Sequence, residues 1–240
     1  MKIRKKMLAC LLAAAVAATS ALPAYAAGVN SPSQAPTTPA GNHTVEMPGN
    51  EDANVTVKPN GEVTVNSVQS NKATVTIPST VVVNGVECKV TTIGANTFKD
   101  CKKMKEVKIP SSVKTIGKNV FKGASKLKKA VINGAATFKS GALNGVKNLT
   151  LKATGKATFN ANSFKGASVK KLTVGKKATF KKNALKGSNM KKIEVTGKLT
   201  KKQKKAYVKA LVKAGAGNKV KVTLGGKTLT MKAAKKLYKL

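Results

Sequence analysis

The chain has 240 residues, 46 basic against eight acidic side chains, a formal net charge of +38 and no tryptophan. One histidine, His43, and six phenylalanines confined to residues 98–180 argue against histidine-centred acid–base or metal chemistry and against the large-aromatic core of a typical compact enzyme. Arg4 is the only arginine; every other basic residue is lysine, a hydrated point charge suited to diffuse attraction for anionic polymers and poorly suited to bidentate reading of phosphates or bases.

The chain opens with a basic head (Lys2, Arg4, Lys5, Lys6), an apolar run over residues 7–18 and a small-residue site, Ala24-Tyr25-Ala26. That order predicts a secretory signal peptide over residues 1–26, cleaved after Ala26. The run is shorter than the ~20 residues a membrane span needs, and no transmembrane segment is expected after cleavage. The expected location is secreted or extracellular, with any hold on the cell wall non-covalent, because no LPxTG-like signal precedes Leu240. Residues 27–50 are rich in Pro, Ser, Thr and Gly (Pro32, Pro36, Pro39, Pro48) and read as a flexible linker that carries His43 as a solvated residue.

Residues 51–88 read as an N-terminal β cap. Val55-Thr-Val57 and Val63-Thr-Val65 flank Pro59-Asn60-Gly61, and residues 75–83 and 86–90 flank Asn84-Gly85; both are hairpin signals. Charge then divides sharply. Residues 27–98 hold three lysines against five acids, whereas residues 99–240 hold 39 lysines against Asp100, Glu106 and Glu194, a net charge of +36.

Residues 89–197 repeat. Paired apolar anchors five residues apart recur as Ile93/Phe98, Ile116/Phe121, Phe138/Leu143, Phe159/Phe164 and Phe180/Leu185, with first anchors 23, 22, 21 and 21 residues apart. A short alternating strand accompanies each: Val107/Ile109, Ala130/Ile132, Leu149/Leu151, Leu172/Val174 and Ile193/Val195. A unit of this length cannot bury its own apolar face, so neighbours must stack into a mainly β solenoid. Phe98, Phe121, Phe138, Phe159 and Phe180 are expected in one column. Gly123, Gly145, Gly166 and Gly187 follow the second anchors, where the turn asks for a backbone angle other residues resist. Cys88 and Cys101 read either as one disulfide or as two small buried residues in repeat positions.

Residues 198–240 read as a small α+β C-terminal cap. A helix is predicted over 200–214, with Thr200 and Gln203 at capping-box spacing and Gly215 at its end. Val220/Val222/Leu224, Gly225-Gly226 and Leu229/Met231 give a third hairpin signal.

Ile93-Gly-x-x-x-Phe98-x-x-Cys101 followed by Val107-Lys-Ile109-Pro110-Ser-Ser-Val113-x-x-Ile116-Gly resembles the BspA-type leucine-rich repeat. Val75-Thr-Ile77-Pro78-Ser-Thr-Val81 is similar to the family's lead-in. Later repeats depart from it: the Ile-Pro-Ser-Ser-Val stretch is lost, and Ala124, Val146, Ala167 or Ser188 stands at the cysteine position. The resemblance implies a right-handed leucine-rich-repeat superhelix with a parallel sheet on one face. It also implies a secreted or surface protein of bacteria with adhesion or ligand binding as its use, and no catalytic residues.

No catalytic, metal or cofactor set is drawn from the sequence. The lysine clusters Lys170, Lys171, Lys176, Lys177, Lys181, Lys182, Lys191, Lys192, Lys201, Lys202, Lys204 and Lys205 are the candidate polyanion-binding residues. Expected partners are anionic surface polymers (teichoic acid, acidic glycans, extracellular DNA) or another surface protein, without sequence-specific nucleic-acid binding. Two other readings stay open: lysines that only solubilise a spacer, and cationic segments at 201–213 and 231–240 that lie on anionic membranes.

Overall fold

The computed structural model describes residues 39–48 and 51–240. The predicted signal peptide and the linker up to residue 38 lie outside the described residues.

The chain winds between two nine-stranded sheets. β1 (Gly41–Met47), β2 (Glu51–Val57) and β3 (Glu62–Gln69) form an antiparallel meander. β4 (Thr74–Thr76) crosses to the second sheet, and β5 (Thr80–Val83) makes a hairpin with β6 (Val86–Ile93) around Asn84-Gly85, both at positive φ. The repeats then alternate. β7 (Glu106–Ile109), β9 (Lys129–Ile132), β11 (Leu149–Ala153), β13 (Ser168–Gly175) and β16 (Lys192–Thr196) join β4 in the second sheet. The two-residue strands β8 (Thr115–Ile116), β10 (Thr137–Phe138), β12 (Thr158–Phe159) and β14 (Thr179–Phe180) extend the first sheet from β6. β15 (Asn189–Met190) pairs β13 alone. Repeat pairings are parallel, as a coil that returns to the same sheet once per turn requires. The result is a mainly β solenoid of about five turns.

Alternation explains the core. In the second sheet Val107, Ala130, Leu151, Leu172 and Ile193 share one inward row, and Ile109, Ile132, Ala153, Val174 and Val195 the next; all are buried. The third pair is therefore Leu151/Ala153. The Leu149/Leu151 pairing expected from the sequence is two residues early: Leu149 is also buried, but Leu151 and Ala153 are the residues registered on Ala130 and Ile132.

The phenylalanines form two columns, not one. Ile93, Ile116, Phe138, Phe159 and Phe180 align strand to strand through the first sheet. Phe98 and Phe121 stack at 5.5 Å in the turn position that Leu143, Phe164 and Leu185 fill in later coils. The bulky ring moves from the second anchor to the first after the second repeat. Where both anchors are Phe, the rings of Phe159 and Phe164 touch across the interior at 5.1 Å.

Three sequence expectations at the N-terminal side change. Residues 41–47 belong to β1, not to a flexible linker, since Val45 and Met47 are buried against β2 and the Pro- and Gly-rich context hid that alternation. His43 sits on this strand, half-buried, with Nε2 2.8 Å from the carbonyl oxygen of Pro39. Residues 74–77 are already solenoid: Val75 pairs with Val107 in the second sheet, so the β cap is interleaved with the repeats.

Cys88 and Cys101 are separate free thiols, both buried, so the disulfide reading falls. Cys101 donates to the carbonyl of Val68 at 3.3 Å. Burial, reinforced by the Glu51 and Asp100 carboxylates, pushes its thiol up to about 11, against the smaller opposing effect of a hydrogen bond from the Ser70 backbone. A raised folded value favours the neutral thiol, so its contribution to stability is complete below pH ~9 and disappears as pH climbs through ~11. Native protein treated with iodoacetamide at pH 8.5 should stay unmodified at Cys101 and become labelled only in denaturant; native labelling would contradict this burial.

The C-terminal cap completes the ladder. α1 (Lys201–Lys213) starts with the capping box of Thr200 and Gln203 and ends before Gly215 at φ +84°. Its last turn stands in for a further coil: the amides of Asn183 and Leu185 donate to the carbonyls of Lys213 and Ala214. Tyr207 caps the same open end, its hydroxyl donating to the carbonyls of Gly175 and Ala178. β17 (Lys221–Leu224) and β18 (Lys227–Thr230) form the third hairpin and extend the second sheet from β16. Met231 does not continue that hairpin. Thr230 accepts from the Ala233 amide and starts a second helix, α2 (Met231–Tyr238), which the sequence reading missed.

Candidate polyanion-binding surface

Because each coil buries two alternate strand residues, the intervening ones must face out. One outward row of the second sheet reads Thr74, Glu106, Lys129, Thr150 and Lys171; its neighbour reads Thr76, Lys108, Val131, Lys152, Thr173 and Glu194. Lysine thus recurs on strands spaced ~4.8 Å apart. Two acids of the basic segment are tied up here: Glu106 pairs with Lys129 at 3.0 Å, and Glu194 with Lys171.

The sequence-selected lysines do not gather on one patch. Lys171 and Lys192 are half-buried on the outer face of the second sheet, with Lys170 and Lys191 exposed beside them. Lys176 and Lys177 sit in the turn leaving β13, and Lys181 and Lys182 in the turn leaving β14. Lys201, Lys202 and Lys205 are exposed on the first turns of α1, and Lys204 is half-buried. Adjacency in sequence does not give adjacency on the surface, because the solenoid brings together residues about one repeat apart. A column of the second kind was missed: Lys99, Lys122, Lys165 and Lys186 each follow the second anchor, with Asn144 in the third coil, and all are exposed. Aligning the repeats on those anchors reveals it.

The turns that carry this column share one backbone conformation. Gly123, Gly145, Gly166 and Gly187 all have φ between +72° and +93°. Two residues before each second anchor, Asn96, Asn119, Gly141, Asn162 and Asn183 also adopt left-handed φ. Amides of Asn96, Asn119, Gly141 and Asn162 each donate to a carbonyl of the next coil. Among the described residues no cluster of His, Cys, Asp or Glu is arranged to hold a metal ion, and no helix is long and apolar enough to cross a membrane.

Parallel coils of this length, with stacked anchors and outward-facing lysines, define a leucine-rich-repeat solenoid. The BspA type leucine rich repeat region matches residues 74–191 in six copies. Residues 74–191 are a repeat region of that family. Among solved structures it is similar to a leucine rich cell surface protein from Faecalibacterium prausnitzii A2-165 (19% identity, 62% of this chain and 48% of that one, TM-score 0.45). It is also similar to a leucine-rich repeat protein from Bacteroides ovatus ATCC 8483 (22% identity, 71% and 40%, TM-score 0.43). A third is the pneumococcal vaccine antigen PcpA (14% identity, 80% and 54%, TM-score 0.32). The chain thus spans about half of those structures or less. No curated protein sequence matches it.

Proposed function

We propose that this is an exported surface protein whose solenoid adheres to anionic polymers through its lysine-covered exterior. One observation carries the reading: 39 lysines against three acids in residues 99–240, with lysines at outward positions of successive coils. Unit charges ~5 Å apart repel by roughly 0.8 kcal/mol in water before salt screening. A bound polyanion relieves that repulsion and releases its own counterions. Net charge this far from zero exceeds the magnitude of about 2–8 that solubility asks of a small domain. The signal-peptide pattern of residues 1–26 supports export, and the cell-surface description of the Faecalibacterium structure is in keeping with it.

Immobilised teichoic acid, heparin and DNA should each retain the protein at low salt and release it as ionic strength rises, while neutral dextran should not retain it. Equal retention on dextran, or retention that salt does not weaken, would favour a docking module that recognises protein through apolar contacts.

A further inference from the structure

On the turns that lead from the first sheet to the second, a solvent-open groove of about 580 Å³ crosses the coils. Lys118 and Lys165 stand over it, and Asn119, Ser140, Asn144 and Asn162 supply uncharged polar groups; no acidic or aromatic side chain lines it. Successive coils meet along its floor. Built Cβ positions show Gly141 facing Lys118 Cγ at 3.6 Å, Gly166 facing Asn144 Oδ1 at 2.5 Å and Gly187 facing Lys165 Cγ at 3.6 Å. The groove therefore runs along the solenoid axis. Asn144 explains why a depression exists: it stands where neighbouring coils place Lys122 and Lys165, and its amide turns to Asn119 Oδ1 at 3.2 Å.

We infer that this groove, resting on the polyanion reading above, is the principal seat of a single linear phosphodiester chain with polyol linkers. The two lysines belong to coils two apart and carry their ammonium groups on flexible stems, so both can engage phosphates of one chain laid along the axis. Amide and hydroxyl groups between them suit polyol hydroxyls. Nucleic-acid strands fit less well, because single-strand binding draws on aromatic platforms and the groove has none. The outer face of the second sheet is a weaker seat, since Lys129 and Lys171 there are already paired with carboxylates.

The test compares full-length protein with the double variant K118Q/K165Q and with the sheet-face control K108Q/K152Q, which removes equal charge at the same coil separation. The probe is poly(glycerol phosphate), titrated over a salt series. Losing two phosphate contacts should weaken binding about tenfold and reduce the salt slope by about 1.4 in the groove variant, against less than twofold in the control. Equal losses in both variants would overturn the groove while leaving polyanion binding intact. No binding by the unaltered chain would overturn the polyanion reading itself. Groove-dependent binding of an oligothymidylate as tight as that of poly(glycerol phosphate) would overturn the choice of a polyol chain.

Discussion

Replacing Gly155 with alanine should destabilise the protein by about 3 kcal/mol. Gly155 lies in the turn after β11, and a Cβ built on it falls 2.2 Å from the carbonyl oxygen of Gly134 and 2.6 Å from its carbon, both in the preceding coil. Backbone cannot swing aside as a flexible side chain does. On one side of the turn Ala153 is registered on Ile132, and on the other Thr158 is registered on Thr137, so the two coils are fastened at both ends of the clash. A Cβ built on Gly134 would fall 2.5 Å from the carbonyl oxygen of Ser111, and one on Gly175 2.2 Å from that of Thr154, so the close approach recurs along this edge. Gly145→Ala is the informative control. Nothing lies within 4 Å of its built Cβ, and only its φ of +82° resists a side chain, which costs roughly 1 kcal/mol. Chemical denaturation should rank Gly155→Ala well below Gly145→Ala in midpoint; the reverse order would show that coil spacing is looser than described.

Phe159→Ala should be costlier still and should change the character of unfolding. The ring is fully buried and touches Phe138 at 4.6 Å, Phe180 at 5.0 Å and Phe164 at 5.1 Å, so it joins three consecutive coils across both anchor columns. Truncating a buried Phe costs about 3–5 kcal/mol. In a stacked array each unit is stabilised chiefly by its neighbours, so weakening one interface uncouples the segments on either side. Hydrogen exchange should then show β14, β16 and α1 opening before β6 and β8, whereas the unaltered protein should protect them together. A single transition at an unchanged midpoint would contradict a continuous interior.

Much of this fold was legible because repetition averages over noise. Any one anchor pair is weak evidence, but five pairs at nearly constant spacing fix the coil length and place Ile93 through Phe180 in the interior. The glycines after the second anchors were legible for a related reason: the same turn recurs, and it repeatedly asks for positive φ. What the sequence hid was context-dependent. β1 was hidden by its composition, because only Val45 and Met47 signal a buried face among polar residues. The end of β18 and the start of α2 share Thr230-Met231, where a capping threonine and a strand residue look alike until the helix is seen. The merged phenylalanine column arose because the large ring changes anchor between Phe121 and Phe138, a substitution that spacing alone does not reveal. The candidate surface was the least legible part. Lysines adjacent in sequence diverge onto the sheet face, both turns and α1, while the axis-wise groove draws Lys118, Asn144 and Lys165 from three coils.

If the cationic exterior binds polyanions by ion exchange, the salt slope of association measures that directly. Titration of the protein with poly(glycerol phosphate) between 50 and 300 mM salt should give a straight double-logarithmic plot of affinity against salt, falling by about 0.7 per phosphate neutralised. With several lysines engaged, the slope should be about −3 or steeper. A slope near zero, with affinity retained at 300 mM salt, would contradict it.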